Sequence, residues 1–221
     1  DKETVMEGFK ALSDVVGADS MGWRYDPIFI DKKHSVEWHI SEFEKMAEIL
    51  AGYTKTCVIS FIDIYKKVER NFPEAMEVSH NDKITIGKAF IEIASRYGMT
   101  IKPCAEGNEL ATYGADCSGC MTVDTFEKAL HNRLEIPKGK VNQRNGACVC
   151  VLGVDIGAYD TCGHLCKYCY ANADKALVRA NMKKHNPESP FLIGESMPGD
   201  VIHEAIQKSW IDRQLRFDYF Y

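Results

Sequence analysis

The spacing of apolar residues divides the chain into alternating helical and extended stretches. Val5, Phe9, Leu12 and Val16 recur at helical intervals, which predicts a helix over 1–16 with those four side chains inward and Gly17 at its end. Residues 20–26 read as a short strand closed by Pro27, since proline restricts the residue before it and brings no amide donor. A second helix is predicted over 35–50, with Val36, Ile40, Phe43, Ala47 and Leu50 on one face. The run 56–62 is apolar almost throughout, as suits a parallel strand buried on both faces. A connector over 66–72, a helix over 82–97, a strand over 99–104, a helical turn over 110–113 and a helix over 123–134 follow. The polar stretch 135–147, with its proline and glycines, reads as a linker. Beyond it the pattern predicts a helix over 173–184, a short strand over 191–193 and a last helix over 201–215.

Strands that alternate with helices imply a parallel sheet with crossover helices. Three strands cannot close a barrel. The expected fold class is therefore α/β: an incomplete (β/α) barrel-like parallel sheet over 1–134, then a cysteine-rich segment over 135–221. The chain starts at Asp1 within a predicted helix and reads as a piece of a longer protein.

An apolar content of 45% in 221 residues is enough for a sizeable core. No run is long enough to span a membrane and no signal peptide is visible, so no membrane partner is expected. The net charge of −5 gives no general attraction to nucleic acid. Nine cysteines are an odd number, and five fall between Cys148 and Cys169. That clustering points to metal ligation in a reducing compartment, the cytoplasm, and away from a disulfide framework.

The chemistry concentrates in Cys162, Cys166 and Cys169, a C-x3-C-x2-C series with Tyr168 before the last sulfur. Thiolates select zinc, copper(I) or iron–sulfur clusters. Zinc ribbons favour paired C-x2-C units, and only Cys166 and Cys169 have that spacing, so the series favours a [4Fe–4S] cluster over a zinc knuckle. It is the spacing of radical S-adenosylmethionine enzymes, whose fourth iron stays open to that cofactor. Tyr159, Asp160 and Asn172 are expected near the cluster, Tyr168 and Tyr170 to flank it, and Glu195 in a Gly-Glu turn is a weaker candidate for the cofactor. Cys148 and Cys150 complicate this. One of them closes the cluster, or both join Cys104 and one of Cys117 or Cys120 in a second cluster or a zinc site. In parallel α/β folds function gathers at the C-terminal ends of strands. Arg24 and Asp26, Asp63, and Glu106 beside Cys104 stand at three such ends and are the expected positioning and catalytic residues.

The stretches Trp23–Pro27, Val58–Asp63, Cys104–Glu106, Asn142–Arg144 and, most specifically, Asp155–Asn172 resemble an uncharacterised bacterial and archaeal family, domain of unknown function 1848. The resemblance runs along nearly the whole chain. Its members look like distant relatives of radical S-adenosylmethionine proteins, spore photoproduct lyase included, with the cysteine triad near the C-terminus. It implies an iron–sulfur protein on a barrel-like fold and supplies no activity. This chain lacks the N-terminal part that would provide the first barrel strands. Three functions follow as expectations. The first is a radical S-adenosylmethionine-type enzyme that takes electrons from a reducing donor and acts on a substrate the sequence does not identify. The second is a closed iron–sulfur or zinc module for binding or electron transfer. The third is a nucleic-acid repair enzyme, which the acidic charge disfavours.

Overall fold

The computed structural model describes residues 1–140, 149–151, 157–204 and 208–214. In chain order the elements are α1 (Lys2–Val16), β1 (Gly22–Ile28), α2 (Val36–Leu50), β2 (Thr56–Phe61), α3 (Lys66–Asn71), α4 (His80–Arg96), β3 (Thr100–Pro103), α5 (Val123–Leu130) and α6 (Lys175–Met182), with short 3-10 turns at Ala18–Ser20 and Glu109–Tyr113. They form two units. One comprises Asp1–Ile62, Met76–Leu152 and Ser209–Tyr221; the other comprises Asp63–Ala75 and Gly153–Lys208.

The first unit is an open α/β sheet. Its strands run parallel in the order β1-β2-β3, so β2 is central. The helices start where the sequence offers a cap. Ser35, Ser79 and Thr122 accept from the amides of Trp38, Asp82 and Thr125 at 3.2, 3.1 and 3.3 Å. Alternation along the strands then sorts the faces. Trp23, Cys57 and Ile101 lie abreast and buried. On that face Phe43 of α2 stacks on Trp23 at 4.8 Å and on Phe90 of α4 at 3.8 Å, and Tyr25 meets both rings edge-on. The Tyr25 hydroxyl donates to His39 Nδ1 at 2.9 Å, while His39 Nε2 donates to the Phe29 carbonyl at 2.7 Å. That pairing assigns the proton to Nε2, and burial lowers the His39 pKa. The opposite face is polar. Arg24, Val58 and Lys102 lie abreast there, and α5 covers part of it over a cavity of about 350 Å³.

Several expectations need correction in this unit. The buried face of α1 is Met6 and Ser13, whose hydroxyl donates to the Tyr53 carbonyl at 2.7 Å; Val5, Leu12 and Val16 are exposed. Pro27 does not close β1. Among the described residues β1 pairs only with β2, and an edge strand tolerates a missing donor, so the strand continues to Ile28 after a register shift. The helix expected to reach 134 stops at Leu130, because His131 turns left-handed (φ 51°) and the Asn132 amide donates back to the Glu127 carbonyl. The last helix over 201–215 is not found among its described residues; in this unit Ile211 pairs with Leu134 in an antiparallel bridge.

The second unit has a smaller core, built on Val68 of α3 and Val178 of α6, both fully buried. The expected connector over 66–72 is mostly the helix α3. The expected strand over 191–193 is a bend. Among the described residues no strand pairs with it, and the Gly194 amide instead donates to the Lys184 carbonyl at 3.1 Å. Residues 201–204 are not helical, and Val201 and Ile202 are exposed.

Truncating Phe43 should cost the most of any single ring in the sheet unit, because it is the slab between two others. Phe43→Ala is expected to lower stability by about 3–5 kcal/mol. Urea unfolding followed by circular dichroism should show a lower midpoint with an unchanged slope.

Candidate metal and binding sites

The polar face of the sheet unit collects the first group. Arg24 donates to Asp26 Oδ2 through Nη2 at 2.6 Å and Nε at 3.1 Å, and Ser60 Oγ reaches the same oxygen at 3.4 Å. Burial alone would lower the Arg24 pKa, but the Asp26 hydrogen bonds and charge, with the Cys104 and Cys120 thiols, hold it above the usual value. Cys120 is the middle of a chain of sulfurs. It stands 4.0 Å from Cys104 and 3.8 Å from Cys150, and Arg24 Nη1 lies 3.9 Å from it. The Met121 amide donates to Cys150 Sγ at 3.3 Å. The Cys104 hydrogen bond, burial and the charges of Cys104 and Cys150 push the Cys120 thiol well up. Of Cys117 and Cys120, it is Cys120 that reaches Cys104. Cys148 lies outside the described residues. Cys57 is fully buried, as an inert core thiol should be.

Lys102 sits beside this group, almost wholly buried. It donates to Asp116 Oδ2 at 2.6 Å and to the Gly119 carbonyl at 3.2 Å. Burial works to raise the Asp116 pKa, but Lys102 and the two Ser118 hydrogen bonds outweigh it and hold the carboxyl down to about 2. Glu106 is used structurally. It accepts from the Phe61 amide at 2.8 Å and from Lys83 Nζ at 3.1 Å, so it joins a strand end to α4 and not Arg24 to Asp26. Asp63 belongs to the other unit and is exposed.

In the second unit the cysteine series occupies a loop closed at its neck by Asp160. The Asp160 amide donates to the Ala171 carbonyl at 2.9 Å, its Oδ1 accepts from the amides of Ala173 and Asp174, and its carbonyl accepts from Asn181 Nδ2 at 3.0 Å. Asp174 then caps α6 by accepting from the Ala176 and Leu177 amides. Asn172 Nδ2 donates to the Cys162 carbonyl at 2.8 Å, and the Tyr65 hydroxyl donates to the Tyr168 carbonyl at 2.7 Å. Burial, with the charge of Cys169 behind it, raises the Tyr65 pKa and keeps that hydroxyl a donor. Cys162 and Cys166 are exposed and Cys169 is half-buried. Asn172 Oδ1 is the one buried side-chain nitrogen or oxygen without a partner among the described residues, a loss of about 1–3 kcal/mol unless something donates to it. Glu195 is exposed beyond the Gly194 turn. Among the described residues no three or more His, Cys, Asp or Glu side chains stand gathered as a ready-made metal-holding group.

The sequence profile of the domain of unknown function 1848 matches residues 1–171. The chain belongs to that family. No curated protein and no solved structure matches it. The family match spans the sheet unit's polar face and all three cysteines of the 162–169 loop.

Two features of this family member escape sequence reading. Lys102 within an apolar strand looks like an outward-facing residue; its parity with Arg24 across the register was the available signal. Lys67 and Arg70 lie in the short helix read as a connector.

Two outcomes follow from these contacts. Asp160→Gly keeps the left-handed backbone (φ 55°) but removes the carboxylate. It should cost about 1–3 kcal/mol and speed amide hydrogen exchange at Ala173 and Asp174. Asp116→Asn leaves the buried Lys102 ammonium without its counter-charge. Because the Asp116 pKa is depressed, the pair's contribution is complete above about pH 4 and is lost as pH falls towards 2. Asp116 is 37% exposed, so the variant should be roughly 1–2 kcal/mol less stable at pH 7 after allowance for screening. Urea titrations at pH 7 and pH 3 should show that gap narrowing.

Proposed function

We propose that this protein is an iron–sulfur enzyme of the radical S-adenosylmethionine type, with Cys162, Cys166 and Cys169 as the cluster ligands. The observation that carries the reading is where these thiols stand. A cysteine retained for packing is usually buried, as Cys57 is. These three lie outside the core, in C-x3-C-x2-C order, on one loop tied at its neck by Asp160. Such a donor set fits a [4Fe–4S] cluster. When bound, the cluster supplies one electron to the sulfonium of S-adenosylmethionine.

The chain's own residues do the holding. Asp160 and Asn172 fix the loop backbone on either side of the sulfurs, and Tyr65 anchors the carbonyl of Tyr168. Arg24, held by Asp26 through Nε and Nη2, keeps Nη1 and its charge for an anionic group of the substrate. Glu195 remains a candidate for the cofactor's amino group, exposed after a glycine turn. We read the sheet as part of a barrel-like one; β1 pairs on one edge alone among the described residues, which supports that. A reducing cytoplasm and a reducing electron donor fit as well: no disulfide joins the eight described cysteines. No helix among the described residues is long and apolar enough to cross a membrane.

A second reading has its own support in the sheet unit. Cys120 lies 4.0 and 3.8 Å from its two sulfur neighbours. Tetrahedral zinc, with Zn–S of about 2.3 Å, sets sulfurs about 3.8 Å apart. On this reading Cys104, Cys120 and Cys150 hold zinc, and the protein is a metal-stabilised module without radical chemistry.

The reaction separates them. Protein reconstituted without oxygen, reduced with dithionite and given S-adenosylmethionine should release 5′-deoxyadenosine, and Cys166→Ala should release none. Cys120→Ala should keep the product while losing any zinc. No product from iron-replete wild-type protein, with zinc lost in Cys120→Ala, would leave the second reading standing.

A further inference from the structure

The second unit holds a pocket of about 260 Å³ whose charged wall is all of one sign. Lys67 and Arg70 come from α3, Lys167 from the cysteine loop and Lys175 from the first turn of α6; among the described residues no carboxylate lines the space. Among the described residues only Lys167 of these four is ion-paired, with Glu74 at 3.5 Å. Lys67 Nζ donates to the Asn172 carbonyl and Arg70 Nε to Asn71 Oδ1 at 3.3 Å, so Lys175 and the terminal nitrogens of Arg70 keep donors for a ligand. Four cations around so small a space repel one another unless an anion joins them.

We propose that this pocket binds the phosphate group of a small phosphorylated ligand. A dianion with three terminal oxygens can take a guanidinium fork and several ammonium donors at once, which a carboxylate cannot. The pocket is smaller than those that enclose a whole drug-sized ligand, so it takes the phosphate and leaves the rest of the molecule outside. It is a compact cluster and not a stripe, on a chain of net charge −5, which argues for a small ligand over a polynucleotide. Asn172 forms part of the wall and carries the buried acceptor without a donor; a ligand hydroxyl or a water brought in with the phosphate supplies one. Leu165 and Cys166 also share the wall, so the phosphate lies against the cysteine loop. The pocket itself does not depend on what the cysteines hold.

The test is calorimetric titration of the whole chain with inorganic phosphate at low ionic strength, with and without iron loading. Phosphate should bind, and acetate should bind far more weakly. Arg70→Ala and Lys175→Ala, both at exposed positions, should each weaken phosphate binding about tenfold without shifting the melting temperature. Arg70→Lys should retain part of the binding, since it keeps the charge and loses the fork. Binding that neither alanine variant weakens, or acetate held as tightly as phosphate, would overturn the assignment. So would a single-stranded oligonucleotide that displaces phosphate with a steep salt dependence lost in the same variants; the occupant would then be a nucleic-acid backbone. Phosphate binding by protein that makes no 5′-deoxyadenosine even when iron-replete would uphold the pocket and sink the radical reading.

Discussion

Two-residue alternation from Trp23 to Asp26 of β1 is the constraint on which the sheet unit rests. Trp23 and Tyr25 are committed to the aromatic slab with Phe43 and Phe90, so Arg24 and Asp26 have to point to the other side. The parallel register carries the same division across β2 and β3, where Arg24, Val58 and Lys102 fall in one row. One face therefore supplies the burial that stabilises the unit. The other gathers a guanidinium, two carboxylates, an ammonium and three thiols. A single-residue slip of β1 would exchange the two sets and leave neither a core nor a charged face.

The cysteines occupy three different physical settings. Cys57 is sealed in the core. Cys120 stands between Cys104 and Cys150 beside Arg24, where its two sulfur neighbours and burial make it harder for the Cys120 thiol to ionise. Cys162, Cys166 and Cys169 are held on a loop outside the core, two of them exposed and Cys169 half-buried. The stability of that loop resides in polar contacts at its neck, and Val68 and Val178 give the unit around it only a modest core. Ligation is a natural way for so thin a unit to gain rigidity, since a metal that binds only the folded form stabilises it.

The sequence was most legible where one pattern acted alone. Helices α2 and α4 and the central strand β2 announce themselves through periodicity and capping residues. The family was legible too, through residues 155–172 and the Trp23–Pro27 run. What it concealed came from partners distant in sequence. The inward face of α1 is set by Ser13 reaching the Tyr53 carbonyl, which periodicity alone cannot foresee. Pro27 is harmless only because β1 is an edge. Phe191–Ile193 looks like a strand, but among the described residues no second strand pairs with it. Glu106 read as a site residue because it follows a strand, yet the amide of Phe61 and the ammonium of Lys83 claim it. Of the residues grouped by strand ends, Arg24 is brought against Asp26 and the Cys104 thiol, whereas Asp63 belongs to the other unit. Lys67 and Arg70 were hidden inside a stretch too short to declare itself a helix.

Iron, acid-labile sulfide and zinc per chain, measured on protein purified without oxygen, test the central claim most directly. About four irons and four sulfides per chain are expected for one [4Fe–4S] cluster, falling to near zero in Cys162→Ala, Cys166→Ala and Cys169→Ala. Protein free of iron and sulfide, or iron that survives all three substitutions, would contradict it.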